Sequence, residues 1–179
     1  CALSRYCGIE PAAWEFMRNN YGRPDVSQPA VWRPIRFNLS HTTGMVAVIV
    51  AWDREVGVDV EWIDRPNLGP GIANRFFSPQ EVRDLRALPE ETQQKAFFNY
   101  WTLKEAYIKA RGMGLSIPLD QFSFRLRPDE PIGISFAPEL EDDANSWYFE
   151  QHTPTNSHTL SLALRSPNCA ALKVSVEET

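Results

Sequence analysis

Trp101-Thr102-Leu103-Lys104-Glu105-Ala106-Tyr107-Ile108-Lys109-Ala110 is the stretch on which the reading of this chain turns. Ala, Leu, Lys and Glu are good helix formers, and neither Pro nor Gly interrupts the run from Lys95 to Arg111, so the spacing predicts a helix. Gly112 supplies its C′ stop. Phe97, Tyr100, Trp101, Ile108 and Ala110 recur at steps of three, four and seven, which turns one side toward a core. Glu105 falls on or beside that stripe, where an unpaired carboxylate is costly. Lys109, one turn on, can compensate it through an i,i+4 pair worth about 0.2–0.5 kcal/mol. A metal ion is the other natural compensator.

A second acidic group lies upstream, in Gly57-Val58-Asp59-Val60-Glu61. Valines alternating with acids read as a strand, and period two puts Asp59 and Glu61 on one face. Two like charges side by side cost energy unless a cation sits between them. Hard carboxylate oxygens suit Mg²⁺, which keeps several waters and takes substrate phosphate as a further ligand. A solvated face of an edge strand explains the strand equally well by itself. Combined with Glu105, a metal site is the better reading.

These two segments, with Trp101 placed forty residues after Glu61, resemble the 4′-phosphopantetheinyl transferases of the longer, single-chain, pseudo-dimeric type. Three further pieces agree and fall in the family's order. Tyr21-Gly22-Arg23-Pro24 is similar to its Gly-basic-Pro segment, Phe37-Asn38-Leu39-Ser40-His41-Thr42 to its Ser-His segment, and Phe76-Phe77-Ser78-Pro79-Gln80-Glu81 to a segment before the helix. The resemblance covers residues 5–125. It implies an α+β fold of two similar α/β lobes, antiparallel strands with packed helices, related by a pseudo-two-fold axis. The lobes would span residues 1–65 and 66–179, the first lacking a strand and helix ahead of Cys1, with the active site at their junction.

The resemblance also implies a reaction: transfer of 4′-phosphopantetheine from coenzyme A to a serine of an apo acyl or peptidyl carrier protein, releasing adenosine 3′,5′-bisphosphate. Mg²⁺, or Mn²⁺ in its place, would be held by Asp59, Glu61 and Glu105. Arg23, Pro24, Ser40, His41, Lys104 and Lys109 would contact coenzyme A, with Lys109 better placed than Lys104, which points along a different helix direction from Glu105. Glu105 and Lys109 carry the catalytic expectation. Glu81 is a further candidate base, although Ser78-Pro79-Gln80-Glu81 gives it a capping role without chemistry. Arg65, Arg75, Phe76, Phe77, Arg83, Arg86 and Phe98 are candidates for meeting the carrier. Another Mg²⁺-dependent phosphodiester enzyme, or a catalytically silent relative, are the competing classes.

The totals agree with an ordinary globular enzyme. At 179 residues and 43% hydrophobic content, the chain makes one domain or two similar lobes. A net charge of −5 argues against general nucleic-acid binding, and no apolar run is long enough to cross a bilayer. Residues 1–40 nonetheless carry five arginines against three acids, which suits a polyphosphate ligand. Three cysteines without metal-type spacing make no disulfide framework, so a reducing cytoplasm is expected. A monomer is expected too, since two lobes in one chain already supply the interface.

Taken in order, Ala2–Cys7 reads as the end of a helix stopped by Gly8. Pro11–Asn20 is predicted as a short helix and 21–34 as loop. Ile35–Leu39 is a strand broken at Ser40. Met45–Trp52 is a buried strand from which Val56–Glu61 returns as a hairpin. After the break at Asp64–Gly71 come helical turns at 72–77, the capped helix and the central helix. Strands follow at 121–126, 131–136, 146–151, 158–164 and 172–176. The acidic turn at 139–143 reads as solvated.

Overall fold

A computed structural model describes residues 2–166 and 172–177. Its organising element is α4, Glu90–Arg111, which spans the whole predicted helical run. Gly112 ends it with a φ of 65°, the left-handed conformation that favours glycine. More than a stripe of α4 is buried: Phe97, Phe98, Tyr100, Leu103, Ala106, Tyr107, Ile108 and Ala110 are all inside. Two helices precede it, α2 (Ala73–Phe76) and α3 (Pro79–Arg86), and α1 (Ala2–Cys7) opens the chain.

The helix packs on an antiparallel sheet of β5 (Val56–Trp62), β9 (His158–Arg165) and β8 (Trp147–Thr155), with β9 in the middle. Contact is close because Gly57 has no side chain: a Cβ there would overlap the Ala106 carbonyl oxygen. The hairpin β6 (Phe122–Arg125) and β7 (Gly133–Phe136) closes the core from another side. The Tyr107 ring meets Phe122 at 4.8 Å and Trp147 at 5.0 Å between centroids.

A second hairpin, β3 (Ile35–Thr42) and β4 (Met45–Trp52), stands beside β5. Its β3 does not bond to β5 through backbone. Instead Val58 N–H donates to Asn38 Oδ1 at 2.9 Å, Val60 N–H to Ser40 Oγ at 3.3 Å, and Trp62 N–H to Thr42 Oγ1 at 3.2 Å. Alternate side chains of β3 thus satisfy the edge of β5 that β9 leaves open. A small cluster of Leu3, Trp14, Ile35 and Phe37 covers one end of the hairpin.

The α+β class stands as predicted, and several local expectations are corrected. The segment read as a helix at 11–20 is one 3₁₀ turn, Pro11–Ala13, followed by β1, Glu15–Arg18; β1 pairs with β2, Pro24–Gln28, inside the expected loop. β3 continues through Ser40 to Thr42. β4 is only partly buried: Ala47 is inside, but Val46 is 71% exposed and Val48 nearly half exposed. β5 does not return from β4 as a hairpin but bonds to β9, a hundred residues away. This joins β5 to strands from the C-terminal part of the described chain. Residues 172–176 form no strand.

Candidate active site

Asp59 and Glu61 leave β5 on the face that α4 covers. Asp59 is 4% exposed and Glu61 7%. Lys109, from the last turn of α4, pairs with Asp59 Oδ1 at 2.6 Å, and donates to Ser40 Oγ at 3.0 Å and the Val58 carbonyl at 3.2 Å. Ser40 Oγ also donates to Asp59 Oδ1 at 2.8 Å. Glu61 receives Arg65 at 2.7 Å and Thr42 Oγ1 at 3.3 Å. The i,i+4 partner foreseen for Glu105 is therefore spent on Asp59.

The charges show their surroundings. Burial raises the Asp59 carboxyl above its ordinary value, and Lys109 only partly offsets that. Burial raises Glu61 as well, and the neighbouring Asp59 adds to the effect. Glu105 is pushed up to about 7, first by burial and then by Asp59, with Glu61 contributing. Three carboxylates thus feel one another across the interface of β5 and α4.

Among the described residues no three acidic, His or Cys side chains are gathered into a ready-made metal cage. The residues nevertheless fit a cation. Asp59 Oδ2 is buried with no hydrogen-bond partner, an orphan that costs free energy unless something positive reaches it. Mg²⁺ ordinarily takes only one or two carboxylates and completes its shell with water and phosphate, so a full protein cage is not required.

The remaining predicted residues divide. Arg23 reaches the same end of α4, where Nη1 donates to the Ala110 carbonyl at 2.9 Å. Asn19 Nδ2 bonds the Gly112 carbonyl beside it, and Pro24 begins β2. His41 is exposed near the end of β3. Ser40, expected to contact coenzyme A, is buried and orients Asp59 and Lys109 instead.

Lys104 and Glu81 do not join the site. Lys104 is fully buried and bonds Glu81 Oε2 at 2.8 Å and the carbonyls of Leu119 and Phe122 at 2.7 Å each. Glu81 also caps α3 and accepts from Phe124 N–H at 2.8 Å. A phosphate contact by Lys104 or a proton transfer by Glu81 would break this sealed pair, so both side chains serve the fold. Phe77 and Phe98, expected at the carrier surface, are core residues, whereas Arg65, Arg75, Arg83 and Arg86 are exposed and Phe76 is half-buried.

Sequence reasoning missed Asp142. Its side chain is 2% exposed and accepts from Tyr107 Oη at 2.7 Å, Arg111 Nη1 at 2.5 Å and Trp147 Nε1 at 3.0 Å. Burial alone would raise its carboxyl, but hydrogen bonds from Tyr107, Trp147 and the Asp143 backbone, with the Arg111 charge, hold it below the usual value. The acidic turn around it gave no sign that one of its members faces inward.

A model of the 4′-phosphopantetheinyl transferase superfamily matches residues 55–163, from the start of β5 to within β9. The chain belongs to this superfamily. It is 38% identical over 148 residues to 4′-phosphopantetheinyl transferase HetI of Nostoc sp., covering 80% of this chain and 62% of that protein. It is 33% identical over 181 residues to a 4′-phosphopantetheinyl transferase of Bacillus subtilis, covering 99% of this chain and 75% of that one. These relatives are longer than the chain. In fold it is similar to the crystal structure of holo-[acyl-carrier-protein] synthase of Thermotoga maritima, with a TM-score of 0.51, 19% identity and 64% of each chain covered. No helix among the described residues is long and apolar enough to cross a membrane.

Proposed function

We propose that this chain carries the transfer site of a 4′-phosphopantetheinyl transferase, which moves the phosphopantetheine arm of coenzyme A onto a serine of an apo acyl or peptidyl carrier protein. The observation that carries the reading is the desolvated pair Asp59 and Glu61, faced by Glu105 and Lys109 under α4, inside a region that matches the superfamily. Asp59, Glu61 and Glu105 would hold Mg²⁺, with Mn²⁺ able to replace it. When bound, the ion supplies positive charge to the pyrophosphate oxygens and lowers the cost of the charge that builds on the leaving phosphate.

The chain's own residues account for the rest. In the reaction the serine Oγ forms a bond to the phosphorus that carries the pantetheine arm. The bond from that phosphorus to the bridging oxygen breaks, and adenosine 3′,5′-bisphosphate leaves. The serine proton passes to a general base, a role that Glu105 fills only where it is not itself a full ligand of the cation. Lys109, one turn from Glu105, supplies fixed positive charge beside the acids. Arg23, between β1 and β2, and the exposed His41 of β3 would approach coenzyme A phosphates from that side. The protein would act as a monomer in the cytoplasm, on neither nucleic acid nor membrane.

The test is product release. With coenzyme A, Mg²⁺ and an apo carrier, chromatography should show adenosine 3′,5′-bisphosphate in proportion to carrier, and none without it. Release that is independent of carrier would mark a phosphodiester hydrolase instead.

A further inference from the structure

Two described side-chain atoms are buried without any hydrogen-bond partner: Asp59 Oδ2 and Thr159 Oγ1. They lie on neighbouring strands. The register of β5 and β9 sets Asp59 opposite Ser161 and Glu61 opposite Thr159. Both strands show which face this is. Asp59 meets Lys109 of α4, and Ser161 Oγ bonds Thr102 Oγ1 of α4 at 2.7 Å. Two residues along each strand, Glu61 and Thr159 point the same way. Residues directly opposite on one face have Cβ atoms about 4.5–5.5 Å apart, and diagonal ones about 7–8 Å. Thr159 is thus the immediate neighbour of one acid and the diagonal neighbour of the other.

Packing alone does not account for a hydroxyl here. Thr159 is 1% exposed, and β9 continues with Leu160, Leu162, Ala163 and Leu164. Valine has the same shape and would leave no polar atom unpaired. A buried hydroxyl without a partner costs free energy, so an unpartnered one beside an unpartnered carboxylate oxygen points to something polar that both share. Mg²⁺ keeps several of its waters when bound by carboxylates, and each such water has protons to donate.

We propose that Thr159 belongs to the cation site, its hydroxyl accepting a hydrogen bond from a water that the cation carries beside Asp59 and Glu61. This rests on the proposed cation reading of those acids, and names a residue outside it. Thr159 is a positioning residue: it holds the hydrated ion against the carboxylates and touches no reacting atom. Groups that bond a metal's ligands typically change affinity by about 10–100-fold when removed.

The test uses Mn²⁺ as probe, its free fraction read by electron paramagnetic resonance, with and without coenzyme A. Thr159→Val should weaken Mn²⁺ binding about tenfold, and Thr159→Ser should restore it. In EDTA, Thr159→Val should melt no lower than wild type, because it removes an unpaired hydroxyl. Wild-type affinity in Thr159→Val, or a lower melting temperature in EDTA, would overturn the proposal while leaving the acids' role intact. A wild type that binds no Mn²⁺ under either condition would overturn the cation reading and this proposal together.

Discussion

Replacing Glu105 by Gln should make the metal-free protein more stable at alkaline pH. Glu105 has an ordinary value of 4.5 and is raised to about 7 by burial, Asp59 and Glu61. The folded state therefore binds this proton more tightly than the unfolded state does. Its contribution is fully present below about pH 4.5 and is lost as pH rises through about 7. At about 1.36 kcal/mol per unit, the ionised side chain costs the folded state roughly 3 kcal/mol at pH 8. Asp59 and Glu61 are raised too, so wild-type stability falls with the same sign from all three. Subtracting the variant from wild type isolates the share that Glu105 controls. The assay is urea unfolding in EDTA at pH 5 and pH 8. Glu105→Gln should match wild type at pH 5 within about 1 kcal/mol and exceed it by about 2–3 kcal/mol at pH 8. Adding Mg²⁺ at pH 8 should stabilise wild type, since a ligand that binds only the folded state adds stability by mass action. Parallel pH profiles for the two proteins would refute the argument that these carboxylates share one desolvated site.

Three further outcomes follow from the geometry. Lys104→Met leaves Glu81 buried without its cation and should destabilise the fold by about 3–5 kcal/mol in denaturant unfolding, with Glu81→Leu in the same chain recovering only part of the loss because the Ser78 and Phe124 N–H groups then lose their acceptor. Gly57→Ala drives a methyl into the Ala106 carbonyl, so α4 must lift from the sheet; a loss of about 3 kcal/mol or more is expected in the same assay, and a normal melting curve would contradict the close approach. Arg65→Gln frees Glu61 from a competing guanidinium, so Mn²⁺ binding measured by calorimetry should tighten rather than weaken.

What the sequence revealed was largely local. The span of α4, its Gly112 stop and the capping box of Ser78 and Glu81 depend on residues a few positions apart, and each is found as expected. The acids of β5 were also legible, because alternation fixes their shared face. What the sequence hid was set by distant pairing. Nothing in Val56–Trp62 says that its partner is β9 or that Asn38, Ser40 and Thr42 will bond its other edge. Ser40 therefore read as a ligand contact when its hydroxyl is committed to Asp59 and Lys109. Lys104 misled for a related reason: helical spacing separates it from Glu105 but does not reveal that Glu81, twenty-three residues earlier, waits in the core. Asp142 is the reverse case, a member of an apparently solvated acidic turn held inside by Tyr107, Arg111 and Trp147. The apolar run of β4 promised burial, yet Val46 and Val48 stand exposed, since periodicity shows a face without showing what covers it.

The most direct measurement of the central claim is the intact mass of an apo carrier protein after incubation with this chain, coenzyme A and Mg²⁺. The account predicts a gain of one phosphopantetheine per carrier, absent in EDTA and lost with Asp59→Ala and with Glu105→Ala. An unmodified carrier, or modification that persists when both Asp59 and Glu105 are replaced, would contradict it.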